Sequence, residues 1–202
     1  VPVFLGSAFV VIAFVVVGGF FTDFANEAFP EIQSAIVRNF GWFYILSASI
    51  ILIFVVMLIF TRFGGIRLGG PDAKPEFGYL AWFSMLFSAG MGTGLVFWGV
   101  AEPVTHFTNP PAGLGSVEAG TAGALQQSMT VTFFHWGLHP WAIYTLFGLS
   151  IAYFHFRYKL PLAPRTMLYP LFGRWIYGWL GHAVDILCTV GTLFGVATSL
   201  GL

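Results

Sequence analysis

Two short stretches hold the residues that could do chemistry. "SAGMGTGLVFWGVAEP", Ser88 to Pro103, sets Gly90, Gly92 and Gly94 at alternate positions, and "FHWGLHPWAIY", Phe134 to Tyr144, gathers Trp136, Trp141 and Tyr144 around Pro140. Each interior glycine costs a helix roughly 0.5–1 kcal/mol relative to alanine, so this glycine density predicts an interrupted helix. At membrane depth, broken backbone is tolerated only where it is buried in protein or lines a cavity. Discontinuous helices of this kind bind cations through freed carbonyls and anionic groups through half-helix N-termini. Gly90 and Gly94 also satisfy GxxxG, the spacing of close helix packing, and spacing alone leaves both readings open.

In the aromatic stretch, Pro140 cannot donate the ladder bond back to Trp136. On a 100° wheel Trp136 and Tyr144 differ by about 80°, and Trp136 and Trp141 by about 140°, so a regular helix would not gather all three. A kink at Pro140 would turn them toward one cavity. Aromatic faces attract a quaternary ammonium by roughly 0.5–2 kcal/mol each. The competing reading is an aromatic belt at the outer interface.

Other polar groups are sparse. His135 and His139, four apart, would share a helical face, but they lack the further His clusters of a membrane metal enzyme; packing or proton handling is expected of them. Glu102 beside Pro103 is expected to be interfacial and solvated. Asp185, deeper in its apolar run, suits a structural hydrogen bond or an ion pathway equally. Thr189, Thr192, Thr198 and Ser199 bring hydroxyls that either join a hard-cation shell or back-bond to their own helix. The lone Cys188 excludes an intrachain disulfide and reads as a small buried apolar residue.

The elements that must position these residues are membrane spans. The chain is 57% apolar and 8% charged, against about 25% charged in a soluble domain. Five spans are predicted: Val3–Phe21, Phe40–Phe63, Tyr79–Val100, Gln126–Phe156 with tilt or a kink, and Tyr177 to the end. Asp23–Arg38 has an amphipathic pattern suited to the outer interface. Arg62, Arg67 and Lys74 follow span two, and Arg157, Lys159, Arg165 and Arg174 follow span four. The positive-inside rule makes both loops cytoplasmic and the N-terminus inside. Zero formal net charge gives no sign of a nucleic-acid partner. The chain starts without Met and stops inside an apolar, Gly-rich run, so a segment of a longer protein is expected.

Together the motifs resemble the betaine/choline/carnitine transporter family. "GMGTGLVFWGVAEP" and "FHWGLHPWAIY" carry the resemblance, and "IRLGGPDAKPEF" and "VDILCTVGTLFGVATSLGL" extend it over most of Arg62–Leu202. It implies an all-α, twelve-span transporter with a leucine-transporter-like inverted-repeat core, possessing no enzymatic activity and needing no cofactor. Residues 1–63 would be two spans outside that core, and 64–202 its first three helices. Trp136, Trp141 and Tyr144 would form part of an aromatic box for a trimethylammonium group. Gly90, Met91, Gly92, Thr93 and Gly94 would line the same cavity and approach the substrate's carboxylate. Ser88 and Met91 would offer carbonyls to one Na⁺, and Thr192 a hydroxyl to another.

Proton-coupled choline carriers of the family have Asp where this chain has Gly94, so the resemblance implies a zwitterion such as glycine betaine, and Na⁺ as coupling ion. Val196, where some sodium-coupled members have a second Thr, weakens the second sodium site. The implied setting is a bacterial cytoplasmic membrane, with lipid and a homotrimer as partners and osmotic stress as occasion. Dimethylsulfoniopropionate is an equal substrate candidate. A carnitine-type antiporter and a proton-coupled symporter are the alternatives within transport, and a membrane osmosensor or metalloenzyme those outside it.

Overall fold

The computed structural model describes residues 1–70, 72–90, 92–111 and 115–201, and among these there is no β-strand. Among the described residues eight α-helices follow one another: α1 (Pro2–Phe20), α2 (Thr22–Phe60), α3 (Tyr79–Gly90), α4 (Thr93–Thr108), α5 (Ala122–Trp136), α6 (Leu138–Tyr158), the short α7 (Tyr169–Phe172) and α8 (Trp179–Leu200). Of these, α1, α2 and α8 are each long and apolar enough to cross a bilayer. The predicted third and fourth spans are each divided into two helices.

The burial pattern is inverted relative to a soluble domain. Among the described residues the buried apolar side chains are Ala25, Ala124, Ala142 and Ile176, whereas Ser7, Glu102, Ser128, Thr132, Thr166 and Asp185 are buried and polar. Large apolar residues such as Phe9, Phe54 and Leu187 point outward. Water would penalise that surface; hydrocarbon does not. The chain is a membrane-embedded helical protein.

At 1.5 Å per residue the 39 residues of α2 extend about 58 Å, nearly twice the hydrocarbon core of about 30 Å. Its charged residues Asp23, Glu27, Glu31 and Arg38 all lie in the first half. Asp23–Arg38 is therefore no separate segment but the opening of the same helix that carries the second span.

Neighbouring helices meet through small residues and rings. α1 packs on α8, where a Cβ at Gly6 would stand 2.5 Å from Ile186 Cδ1, and Phe14 meets Phe194 edge-on at 4.9 Å. α2 packs on α6, and α4 on α5 and α8. The basic loops lie at one end of the bundle, since Arg157 donates to the Arg67 carbonyl at 3.4 Å.

The α6–α8 connection is irregular but pinned. Lys159 caps α6 at φ 58°; its N–H donates to the His155 carbonyl, and the Leu160 N–H to that of Phe154. Further on, the Arg165 N–H and Nε donate to the two Asp185 oxygens at 2.9 and 2.6 Å, and an Arg165 terminal nitrogen lies 3.2 Å from His182 Nδ1. Of the two roles open to Asp185, the fold gives it the structural one. Its partner comes from an irregular loop, which periodicity could not place.

Candidate functional site

The first break is where the glycines predict it. α3 ends at Gly90 and α4 begins at Thr93, with Gly92 as its extended N-cap at φ −79°, ψ 171°. The Gly92 carbonyl accepts from the N–H groups of Leu95 and Val96 at 3.1 and 3.3 Å. A glycine cap has no side chain to engage the first N–H groups of α4, so they point from a half-helix N-terminus without that competitor. Met91 and the Thr93 side chain, both expected at the substrate, lie outside the described residues.

The second break differs from its prediction. The helix is interrupted at Gly137, between α5 and α6, and Pro140 sits in the first turn of α6. Proline is tolerated there because a first-turn N–H has no intrahelical partner to lose. A Cβ at Gly137 would run into the Phe133 carbonyl, which explains why glycine occupies the break. The Trp136 carbonyl accepts instead from the Trp141 indole N–H at 3.1 Å. The break also overturns the shared face of His135 and His139, which now end one helix and begin the next. The His139 ring packs on Phe134 at 4.6 Å.

The two breaks meet. Trp141 Cη2 lies 3.0 Å from where a Cβ at Gly90 would stand, and the Tyr144 ring is 5.7 Å from that of Trp141 at 36°. Both rings are exposed. Glycine at 90 thus lets an indole come against bare backbone. On the α8 side, a Cβ at Gly94 would stand 3.5 Å from Ser199 Oγ. Thr192 is seven residues before Ser199, on the same face of α8 and about 10 Å along it. Its hydroxyl donates to the Cys188 carbonyl at 2.8 Å, which leaves its acceptor lone pairs free. Ser88 lies in the last turn of α3, beside the break.

Trp136 takes a different environment from the other two aromatics. Its indole N–H donates to Glu102 Oε2. Glu102 Oε1 lies 2.8 Å from His135 Nδ1 and 3.3 Å from His106 Nε2. Glu102 is 6% exposed, so the expected solvated glutamate is overturned. Three partners from two helices replace its water, which is what a buried carboxylate requires. The only sequence signals were the i,i+4 spacing of Glu102 and His106 and the pairing of His135 with Trp136; no pattern linked residues more than thirty positions apart. A cavity of about 380 Å³ opens beside this cluster, lined by Trp98, Glu102, Thr105, His106, His135 and Trp136.

Residues 2–202 match the family described as "BCCT, betaine/carnitine/choline family transporter". The chain is 47% identical over 196 residues to a probable glycine betaine transporter of Desulfitobacterium hafniense, covering 97% of this chain and 39% of that protein. It is 44% identical over 200 residues to the high-affinity choline transport protein of Escherichia coli K12, covering 99% of this chain and 29% of that one. A glycine betaine transporter of Acinetobacter baylyi matches at 44% over 199 residues, 98% of this chain and 30% of that protein. The chain thus spans less than two fifths of the length of these relatives.

Proposed function

The chain belongs to the betaine/carnitine/choline family of transporters, and from that premise we propose that it carries half of the binding cavity of a Na⁺-coupled importer of glycine betaine-like solutes. The observation that carries the reading is the contact of Trp141, with Tyr144 beside it, against the Gly90 backbone. Aromatic faces hold a methylated cation. The uncapped start of α4 offers N–H groups to a carboxylate. A zwitterion has both charges, and the two halves of this site are complementary to them. A methylated sulfonium zwitterion meets the same surfaces.

Relatives named for betaine match at 47% and 44% identity and one named for choline at 44%, too close to separate the two, so the choice of substrate rests on the site. Position 94 is glycine, and no carboxylate lies in residues 88–95 to balance a bare cation. The oxygens available to an ion there are carbonyls and hydroxyls, which suit Na⁺. Ser88 and Thr192 supply such oxygens from α3 and α8. The basic loops, joined by Arg157 and Arg67, support a cytoplasmic placement of that end by the positive-inside rule. A bacterial inner membrane and a homotrimer complete the proposal.

The test is uptake of radiolabelled glycine betaine into proteoliposomes holding the intact transporter. Uptake is expected to follow an inward Na⁺ gradient at symmetric pH, and Thr192→Ala to weaken its Na⁺ dependence. Uptake that follows a pH gradient without Na⁺ refutes the ion assignment, and exchange that needs only internal substrate refutes symport.

A further inference from the structure

We propose that Glu102 is a positioning residue for the aromatic box: its carboxylate fixes the indole of Trp136, and through the Trp136 backbone it sets the register of Trp141. The proposal rests on the reading that Trp141 contacts the substrate.

Trp136 needs external support because of where it stands. It is the last residue of α5, and Gly137 breaks the chain directly after it. A side chain in a helix interior is held by the turns on both sides, whereas here one side is missing. The Glu102 oxygen that receives the indole N–H comes from the middle of α4, a packed and separate helix. That oxygen is held in turn, since the other carboxylate oxygen is engaged by His135 and His106. Burial leaves the carboxylate few alternative partners in water.

The linkage continues to the substrate side. The Trp136 carbonyl receives the Trp141 indole N–H at 3.1 Å, and the far edge of that indole rests on Gly90. Glu102 and Gly90 therefore bracket both tryptophans, one at an indole N–H and the other at a ring edge. A shift of Trp136 tilts its carbonyl and releases the neighbour's indole.

The test is a double-mutant cycle in the intact transporter, with equilibrium binding of radiolabelled glycine betaine and uptake kinetics as readouts. Glu102→Gln keeps the size of the side chain but gives up its charge and leaves one acceptor oxygen where there were two. It is expected to raise Kd and KM about tenfold, the scale of one charge-assisted hydrogen bond, with little change in maximal rate per inserted protein. Trp136→Phe removes the indole N–H, so adding Glu102→Gln to it should change Kd no further. Equal effects of Glu102→Gln in both backgrounds, or a fall in maximal rate at unchanged Kd, overturn the proposal. Should Glu102→Gln not reach the membrane, Glu102→Asp, which withdraws the carboxylate by one methylene, enters the same cycle under the same criteria. Normal binding in both Trp136→Ala and Trp141→Ala would instead overturn the box itself, while weakened binding in those variants with an additive cycle overturns only the role of Glu102.

Discussion

Adding a single methyl group at Gly90 tests the meeting of the two breaks directly. In Gly90→Ala the new Cβ would stand 3.0 Å from Trp141 Cη2 and 3.4 Å from Cζ3. Ordinary carbon contacts begin near 3.5 Å, so the ring must retreat by roughly half an ångström. Helix propensity works the other way and favours alanine by up to about 1 kcal/mol. Insertion and folding should therefore survive while the box is displaced. If Trp141 loses between a quarter and all of a desolvated cation–π contact of about 2 kcal/mol, betaine affinity falls by about twofold to thirtyfold. The control is Trp141→Phe, whose smaller ring has no atom at the Cη2 position. Gly90→Ala should cost little further affinity in that background. Gly92→Ala is a second control, because its Cβ meets nothing within 4 Å in this chain and its φ suits alanine. Any loss there reports the approach of substrate and not a displaced ring. Binding of labelled betaine to purified protein measures all four. Parental affinity in Gly90→Ala, with unaltered tryptophan emission, would refute the contact.

Three more outcomes follow from the same geometry. Gly94→Asp should insert normally, since its Cβ position is in ordinary contact with Ser199 Oγ at 3.5 Å, and the added carboxylate should raise choline binding relative to betaine by at least about tenfold; an unchanged ratio refutes the counter-charge argument. Asp185→Asn leaves the part-buried Arg165 charge without its carboxylate and should cost about 1–3 kcal/mol of stability, read as earlier thermal aggregation in detergent; intact stability with lost Na⁺ coupling would restore the ion-pathway role. Gly181→Ala sets a Cβ against the Ile176 carbonyl and should prevent accumulation of folded protein, as seen by size-exclusion profile; a normal profile refutes the tight packing of that turn.

The parts of the fold legible in sequence are those written in local chemistry. The glycine run marks the α3–α4 break because only local backbone freedom is at stake. The freed Trp136 carbonyl follows from Pro140 alone, but the site of the second break does not. Gly137 wins it because a Cβ there would meet the Phe133 carbonyl, a close approach that no wheel displays. The failures are long-range. Glu102 looks exposed beside Pro103, and its burial depends on His135 and Trp136 arriving from another helix. Asp185 is ambiguous until Arg165 folds over it from an irregular loop. Hydropathy fails differently at Asp23–Arg38, where polar residues suggest a separate segment though nothing in them stops a helix; even Pro30 is carried within α2.

The broken helices also constrain how the chain enters the membrane. α3 has 12 residues and α4 has 16, so they reach about 18 and 24 Å against a hydrocarbon core of about 30 Å. Neither can be admitted by the insertion machinery as a span in its own right. The two must leave the ribosome and partition into lipid as one unit. The indole that rests on Gly90 belongs to Trp141 and has not yet been synthesised when that unit emerges. For that interval the Gly90 backbone lacks the ring that rests on it in the finished fold, and the unit must either close into a transient continuous helix or remain sheltered in the translocation channel until α5 and α6 arrive. Biogenesis of this segment is thus paced by the arrival of α6, and a stalled chain ending before Trp141 should be held at the channel and not released into the bilayer.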